Sequence, residues 1–270
     1  MTIKDITNCI EELAPLSYAE SFDNVGLLVG NNKTDVNGVL VTLDTLEATV
    51  DEAIANNCNL IVSFHPIIFS GLKKLNGSNY VERVVLKAIK NDIAIYATHT
   101  ALDNVEHGVS GKICKVLGLN NPQVLIPKNN EQSTDKIGMG MIGDLPNAMN
   151  EIEFLQFVKT SMQTDCIRHS ELLNKSIKKV AVLGGSGSFA IDNAIAAGAD
   201  AYISADFKYH EFFKAEKQIL LADIGHYESE QFTKNLLVEY LTKKITNFAP
   251  ALPAGRIILS EKSTNPIYYI

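Results

Sequence analysis

The stretch Gly38–Ser63, GVLVTLDTLEATVDEAIANNCNLIVS, decides the fold. Gly38–Asp44 is short, β-branched and bounded by turn residues, which reads as a strand. TLEATVDEAIANN places Leu46, Val50, Ala53 and Ile54 on one side of a helix. LIVS is apolar throughout, as suits a strand in a sheet covered on both faces. Strand, helix and strand in this order make a parallel βαβ unit.

Reading outward, the same alternation continues. YVERVVLKAIKN is a helix, IAIYATH a strand and GVSGKICKVLG a helix closed by Gly118. The polar, aperiodic Pro127–Lys136 is the best linker candidate. Beyond it the pattern restarts with IGMGMIGDL (strand), MNEIEFLQFVKTSM (helix), KKVAVLGG (strand), FAIDNAIAAG (helix) and AYIS (strand). QILLADIG then leads into a long helix over Tyr227–Lys244, and GRIILSEKSTNPIYYI adds an edge strand. The expected organisation is a half over 1–127, a linker over 128–136 and a half over 137–270, with the last strand returning to the first half.

The two halves resemble each other internally. At an offset of 141 residues, Val39 falls on Val180, Val41 on Val182, Asp51 on Asp192, Ala53-Ile54-Ala55 on Ala194-Ile195-Ala196, and Ser63 on Ser204. In the same register His65 falls on Asp206.

Composition narrows the function. The 270 residues are 46% hydrophobic and 20% charged, ordinary for a chain with a sizeable core. A net charge of −7 argues against a sequence-independent grip on nucleic acid. Asp5, Glu11 and Glu12 break up the N-terminal apolar residues, so MTIKDITNCIEELAPL reads as an amphipathic helix and not a secretory signal. No apolar run approaches a membrane span. Cys9, Cys58, Cys114 and Cys166 form no CxxC pair and read as small hydrophobes in a reducing compartment. A cytoplasmic protein is expected.

Ligands of open α/β sheets gather at the carboxyl ends of strands. There this chain places His65, in LIVSFHPIIFSG, then His99 and Asp103, then Asp206, and finally His226. Pro66 ends its strand by withholding an N–H. In GHYESE, His226 and Glu230 stand at i, i+4 on one helix face. Imidazoles with carboxylates suit zinc, iron or manganese. A core histidine satisfied by a carbonyl is the plain reading of any one of these positions; several strand ends together favour a metal site. His107 and His169 read as surface residues. GGSGSF (Gly184–Phe189) is either a phosphate cradle or a tight βα turn capped by Ser186 or Ser188. Asp206 and His210 read either as residues behind the ligands or on a pocket wall, or as plain surface residues. Lys73 and Lys74 are either attractors of an anionic substrate or a solvated pair, and Tyr209, Phe212 and Phe213 are candidates for a subunit contact.

The ordered set SFDNVGLLVG, FHPIIFSGLKKL, IYATHTALDNVEHGV, VAVLGGSGSF and GHYESE resembles the GTP cyclohydrolase type 2 homologues, the NGG-interacting-factor-three-like dinuclear metal proteins. The resemblance covers nearly the whole chain, in the short form that lacks the inserted α/β module of long members. It implies an α/β protein of two related three-layer halves with mostly parallel sheets and a metal site between them, assembled as a toroidal homohexamer. It further implies that His65 and Asp103 hold one divalent ion, that His226 holds a second and that Glu230 bridges them. Phe64 stands where the family has a histidine, which weakens the second position. His99 would then lie behind the ligands or substitute for the missing one.

The function this implies is a metal-dependent hydrolase that uses a metal-activated water on a small, nucleotide-like substrate. The alternative is a metal carrier or a ring-shaped interaction scaffold. Neither nucleic acid nor a membrane is expected as a partner.

Overall fold

The computed structural model describes residues 1–128, 136–248 and 256–270. These form two compact units, one of Met1–Leu102 with Thr233–Thr264 and the other of Asp103–Phe232 with Asn265–Ile270.

The first unit contains α1 (Ile3–Leu13), β1 (Gly26–Val29), β2 (Val39–Thr42), α2 (Glu47–Ala55), β3 (Leu60–Ser63), α3 (Tyr80–Lys90) and β4 (Ala94–Ala97). The short helix α4 (His99–Asp103) follows, its last residue counted with the second unit, and α9 (Thr233–Phe248) and β11 (Ile257–Leu259) complete the first. Its sheet has the order β1-β4-β3-β2-β11. The last four of these run parallel, and β1 lies antiparallel on the edge. The residues of β2, β3 and β4 are all buried, as parallel strands covered on both faces require. Leu40, Ile61 and Ile95 pack with Val50 and Ala53 of α2 and Val84, Val85 and Ala88 of α3. Their equally buried neighbours Val39, Val41, Leu60 and Val62 point to the other face, by the two-residue period of a strand.

The second unit holds α5 (Val109–Val116), β5 (Asn120–Lys128), β6 (Ile137–Asn150), α6 (Glu151–Ser161), β7 (Arg168–His169), β8 (Ser176–Ser186), α7 (Ile191–Ala196), β9 (Ala201–Ala205), β10 (Leu220–Asp223) and α8 (His226–Glu230). The sheet order is β5-β6-β8-β9-β10-β7. Val180, Val182, Ala201 and Ile203 pack with α5 and α6, while Ala181, Leu183 and Tyr202 pack with Ile191 and Ala194 of α7. Helices therefore cover both faces.

Only the centre of this second sheet, β8-β9-β10, is parallel. β5, β6 and β7 pair antiparallel, so the sheet is mixed where the sequence suggests mostly parallel pairing. The reason is connectivity: β6 begins at Ile137, too soon after the end of β5 at Lys128 for the crossover of about a dozen residues that a parallel pair needs. Lys128 faces Ile137 across that pair, and residues 129–135 of the expected linker lie outside the described residues.

The long helix expected over Tyr227–Lys244 is two helices. It breaks at Gln231–Phe232, where the Gln231 amide donates to the Met162 carbonyl at 2.8 Å and Phe232 packs on the second unit's core. The offset of 141 residues extends to strand register. Val39 pairs with Leu60 and Val180 with Ala201; Val41 pairs with Val62 and Val182 with Ile203.

Candidate functional site

In the first unit the ends of β2, β3 and β4 are stitched together beyond their ladders. The His65 N–H donates to the Leu43 carbonyl at 3.0 Å, and the His99 N–H to the Phe64 carbonyl at 2.9 Å. These bonds set His65 and His99 side by side, with ring centroids 5.4 Å apart. Phe64 is fully buried beside both, 4.9 Å from the His65 ring and 5.7 Å from that of His99.

Each ring is fixed by a carboxylate. His65 Nδ1 lies 2.8 Å from Asp44 Oδ1, and the other Asp44 oxygen accepts the Thr264 hydroxyl. His99 Nδ1 lies 2.8 Å from Asp23 Oδ1, while Asp23 Oδ2 accepts the Thr100 N–H at 3.0 Å. The Asp23 side chain is wholly buried. Burial opposes its ionisation, but hydrogen bonds from His99 and Thr100 outweigh this and lower its pKa to about 2. A carboxylate on Nδ1 fixes the tautomer and leaves Nε2 as the nitrogen with a lone pair, the arrangement behind most metal-bound histidines.

In the second unit, β10 ends at Asp223, and Gly225, at φ 91°, turns the chain into α8. That helix opens with His226 and ends with Glu230. His226 Nδ1 lies 2.7 Å from Asp206 Oδ2, and its Nε2 lies 3.2 Å from Glu230 Oε2. Glu230 is buried. Burial disfavours an imidazolium, yet bonds to Asp206 and Glu230 raise the His226 pKa to about 11. The hydrogen bond from His226 in turn lowers the pKa of Asp206. Without a metal, a proton holds the two carboxylates together; a divalent cation suits the same set of donors.

GGSGSF serves this cluster. At Gly185, φ is +70°, and a Cβ there would lie 2.3 Å from Glu230 Oε1 and 3.3 Å from His226 Cε1. The Gly185 N–H donates to Ser229 Oγ at 2.8 Å. The glycines thus let β8 approach α8 closely. Neither serine caps a helix: Ser186 ends β8, and the 3-10 turn that follows starts from Gly187 without a side-chain cap.

The other expected residues are placed as follows. Asp103 is the half-buried last residue of α4. Asp206 directly follows β9 with φ +59° and is the residue that reaches His226. In a 3-10 turn His210 meets the Tyr209 ring edge-on and lies tilted against Phe213. Tyr209 and Phe213 are exposed, whereas Phe212 packs on the core beneath Arg168. His107, His169, Lys73 and Lys74 are exposed. Cys58 and Cys114 are buried in apolar clusters, and burial pushes the Cys114 thiol up to about 12. Among the described residues no helix is long and apolar enough to cross a membrane.

Sequence reading missed Asp23 and Asp44 as the partners of His99 and His65. Asp23 lies 76 residues before its histidine and Asp44 lies 21 before His65, and no local spacing ties them. The only signal was position, since Asp44 lies two residues past the end of β2, the strand beside β3.

Comparison with known proteins agrees with this architecture. A model of the family described as Duf34/NIF3 (NGG1p interacting factor 3) matches residues 1–266. A Clostridium acetobutylicum protein named GTP cyclohydrolase 1 type 2 homolog is 34% identical over 231 residues, covering 85% of each chain. A Lactococcus lactis protein of the same name is 34% identical over 275 residues, covering all of both. The crystal structure of a Bacillus cereus protein related to NIF3 superposes with a TM-score of 0.94 at 25% identity, covering 100% of this chain and 99% of that one.

Proposed function

We propose, for a chain that belongs to the Duf34/NIF3 family, the role of a divalent-metal-binding hydrolase acting on a small, nucleotide-like substrate. The observation that carries this reading is the carboxylate on Nδ1 of each strand-end histidine, His65, His99 and His226. Surface histidines do not need such partners, whereas metal ligands usually have them. In the proposal His65, Asp103, His226 and Glu230 are the ligands of zinc, iron or manganese, up to two ions per subunit. The position served by His226 is the weaker, because Phe64 contributes no donor.

Such an ion would make a bound water acidic enough to attack at neutral pH and would polarise a carbonyl, imine or phosphoryl oxygen. The chain's own residues have preparatory tasks. Asp44 and Thr264 hold the His65 ring, and Asp206 holds that of His226. Gly185 leaves room for the Glu230 carboxylate. The curated relatives' name supports a cyclohydrolase-like reaction, and phosphoester hydrolysis is equally compatible with these donors.

One observation favours a second reading, a metal carrier. The His226 ring lies between the Asp206 and Glu230 carboxylates, so a proton on it can take the place of an ion in that cluster. Turnover of a nucleotide and phosphoester panel by metal-loaded protein supports the hydrolase; readily exchanged metal without turnover supports the carrier. We also propose a ring of six subunits in the cytoplasm, on the family resemblance. A stable monomer at micromolar concentration in sedimentation would overturn the ring. The net charge of −7 makes nucleic acid an unfavourable partner for it.

A further inference from the structure

The first unit has two imidazoles, and the reading above gives a ligand role to His65 alone. We propose that His99 is also a metal ligand, acting with His65 at the carboxyl end of the first sheet. The inference rests on the metal-binding reading above and extends it to this residue.

The two histidines are presented alike. Each has Nδ1 2.8 Å from an aspartate oxygen, and with the proton on that nitrogen Nε2 is the one able to coordinate an ion. Their side chains are exposed to a similar extent, 22% for His65 and 20% for His99, so both can be reached from solvent. Their rings lie 5.4 Å apart, near enough to serve one ion with a small adjustment of either side chain. His99 also opens a five-residue helix shortly after a parallel strand, and Asp103 ends that helix four residues later with an acid. His226 and Glu230 do the same in the second unit.

A purely structural role for His99 would be to fasten Asp23, and only its Nδ1–H is needed for that. The backbone argues against histidine being there for this alone. His99 has φ +30°, a conformation that asparagine tolerates better than most residues. Asparagine would supply an equivalent N–H to Asp23. What the imidazole adds is Nε2. The strained turn is held by the buried Asp23, which also accepts from the Thr100 and Asn24 N–H groups. Residues kept in such conformations by their surroundings concentrate at functional sites.

The test is the full-length His99→Asn variant, which keeps the Asp23 hydrogen bond and removes Nε2. Zinc is titrated calorimetrically, and imidazole ligands are counted by X-ray absorption. The expected result is a melting temperature close to the wild type, zinc binding at least about tenfold weaker and one imidazole fewer. Unchanged affinity and an unchanged imidazole count would overturn the proposal. If His99→Asn does not fold, His226→Ala replaces it: two imidazoles on the remaining zinc support the assignment and one overturns it. His65→Ala separates the two levels. If it binds zinc as the wild type does, the metal reading fails and this inference with it. If it loses zinc while His99→Asn does not, only the role of His99 fails.

Discussion

At the offset of 141 residues, His65 of the first unit corresponds to Asp206 of the second, and Asp44 to Gly185. The same strand ends thus carry opposite parts. In the first unit the end of β3 provides the imidazole and the end of β2 the carboxylate that holds it. In the second, the residue after β9 is the carboxylate, its imidazole comes from α8, and the counterpart of Asp44 is a glycine that admits Glu230. The difference teaches how one βαβ frame yields two kinds of cluster. The first presents two imidazole rings among aromatic side chains, each held by an aspartate. The second is built around a buried carboxylate whose charge a proton or a metal must balance.

This contrast predicts the largest effect at Glu230. Removing one partner of a buried charged set costs about 3–5 kcal/mol. Glu230→Ala should therefore weaken metal binding by at least about a hundredfold, measured by calorimetric titration. A loss no greater than that of His99→Asn would mean that the second cluster does not depend on its carboxylate.

The glycine that makes room for Glu230 comes next. Gly185→Ala sets a Cβ against the carboxylate at a positive φ. The expected cost is about 2–3 kcal/mol in thermal or denaturant unfolding, with metal content lowered as well. A neutral outcome would show that β8 and α8 can move apart freely.

Asp23 tests the first unit's cluster. Its carboxyl has a pKa of about 2 in the folded chain against 3.8 unfolded, so the ionised form is the one that stabilises. That contribution, about 2 kcal/mol, is complete above pH 3.8 and disappears as the pH falls through 2. Asp23→Asn should lower stability by this order at neutral pH and leave less of it to lose between pH 4 and 2. An acid-unfolding curve of unchanged shape would show that the His99–Asp23 link does not carry the turn.

The smallest effect is expected at Asp206, which holds His226 from behind and is itself largely exposed. Asp206→Asn should weaken metal binding about tenfold with little change in melting temperature. A loss as large as that of Glu230→Ala would make Asp206 a ligand in its own right.

Much of this was legible in the chain. Val39–Thr42 and Leu60–Ser63 read as strands from their β-branched runs, and Glu47–Ala55 as a helix from its spacing. The pairing of His226 with Glu230 was legible because one helical turn brings them together. What could not be read depended on distant or non-repetitive contacts. Asp23 and Asp44 find their histidines only through sheet assembly. The break at Gln231–Phe232 interrupts a helical pattern whose period runs on without a Gly or Pro, so only the packing of Phe232 reveals it. The serines of GGSGSF resemble caps, but the backbone of the glycines is what α8 uses. The antiparallel pairing of β5 and β6 follows from the short stretch of chain between Lys128 and Ile137, which apolar patterning does not weigh.

The central claim is that the carboxylate-held histidines bind a divalent metal. Its most direct test is the metal content per chain, by mass spectrometry, of protein purified from its own host and dialysed, wild type beside a His65→Ala/His226→Ala double variant. The account predicts at least one firmly held zinc, iron or manganese per wild-type chain and none in the folded double variant. Wild-type protein without metal, or a double variant that keeps the full complement, would contradict it.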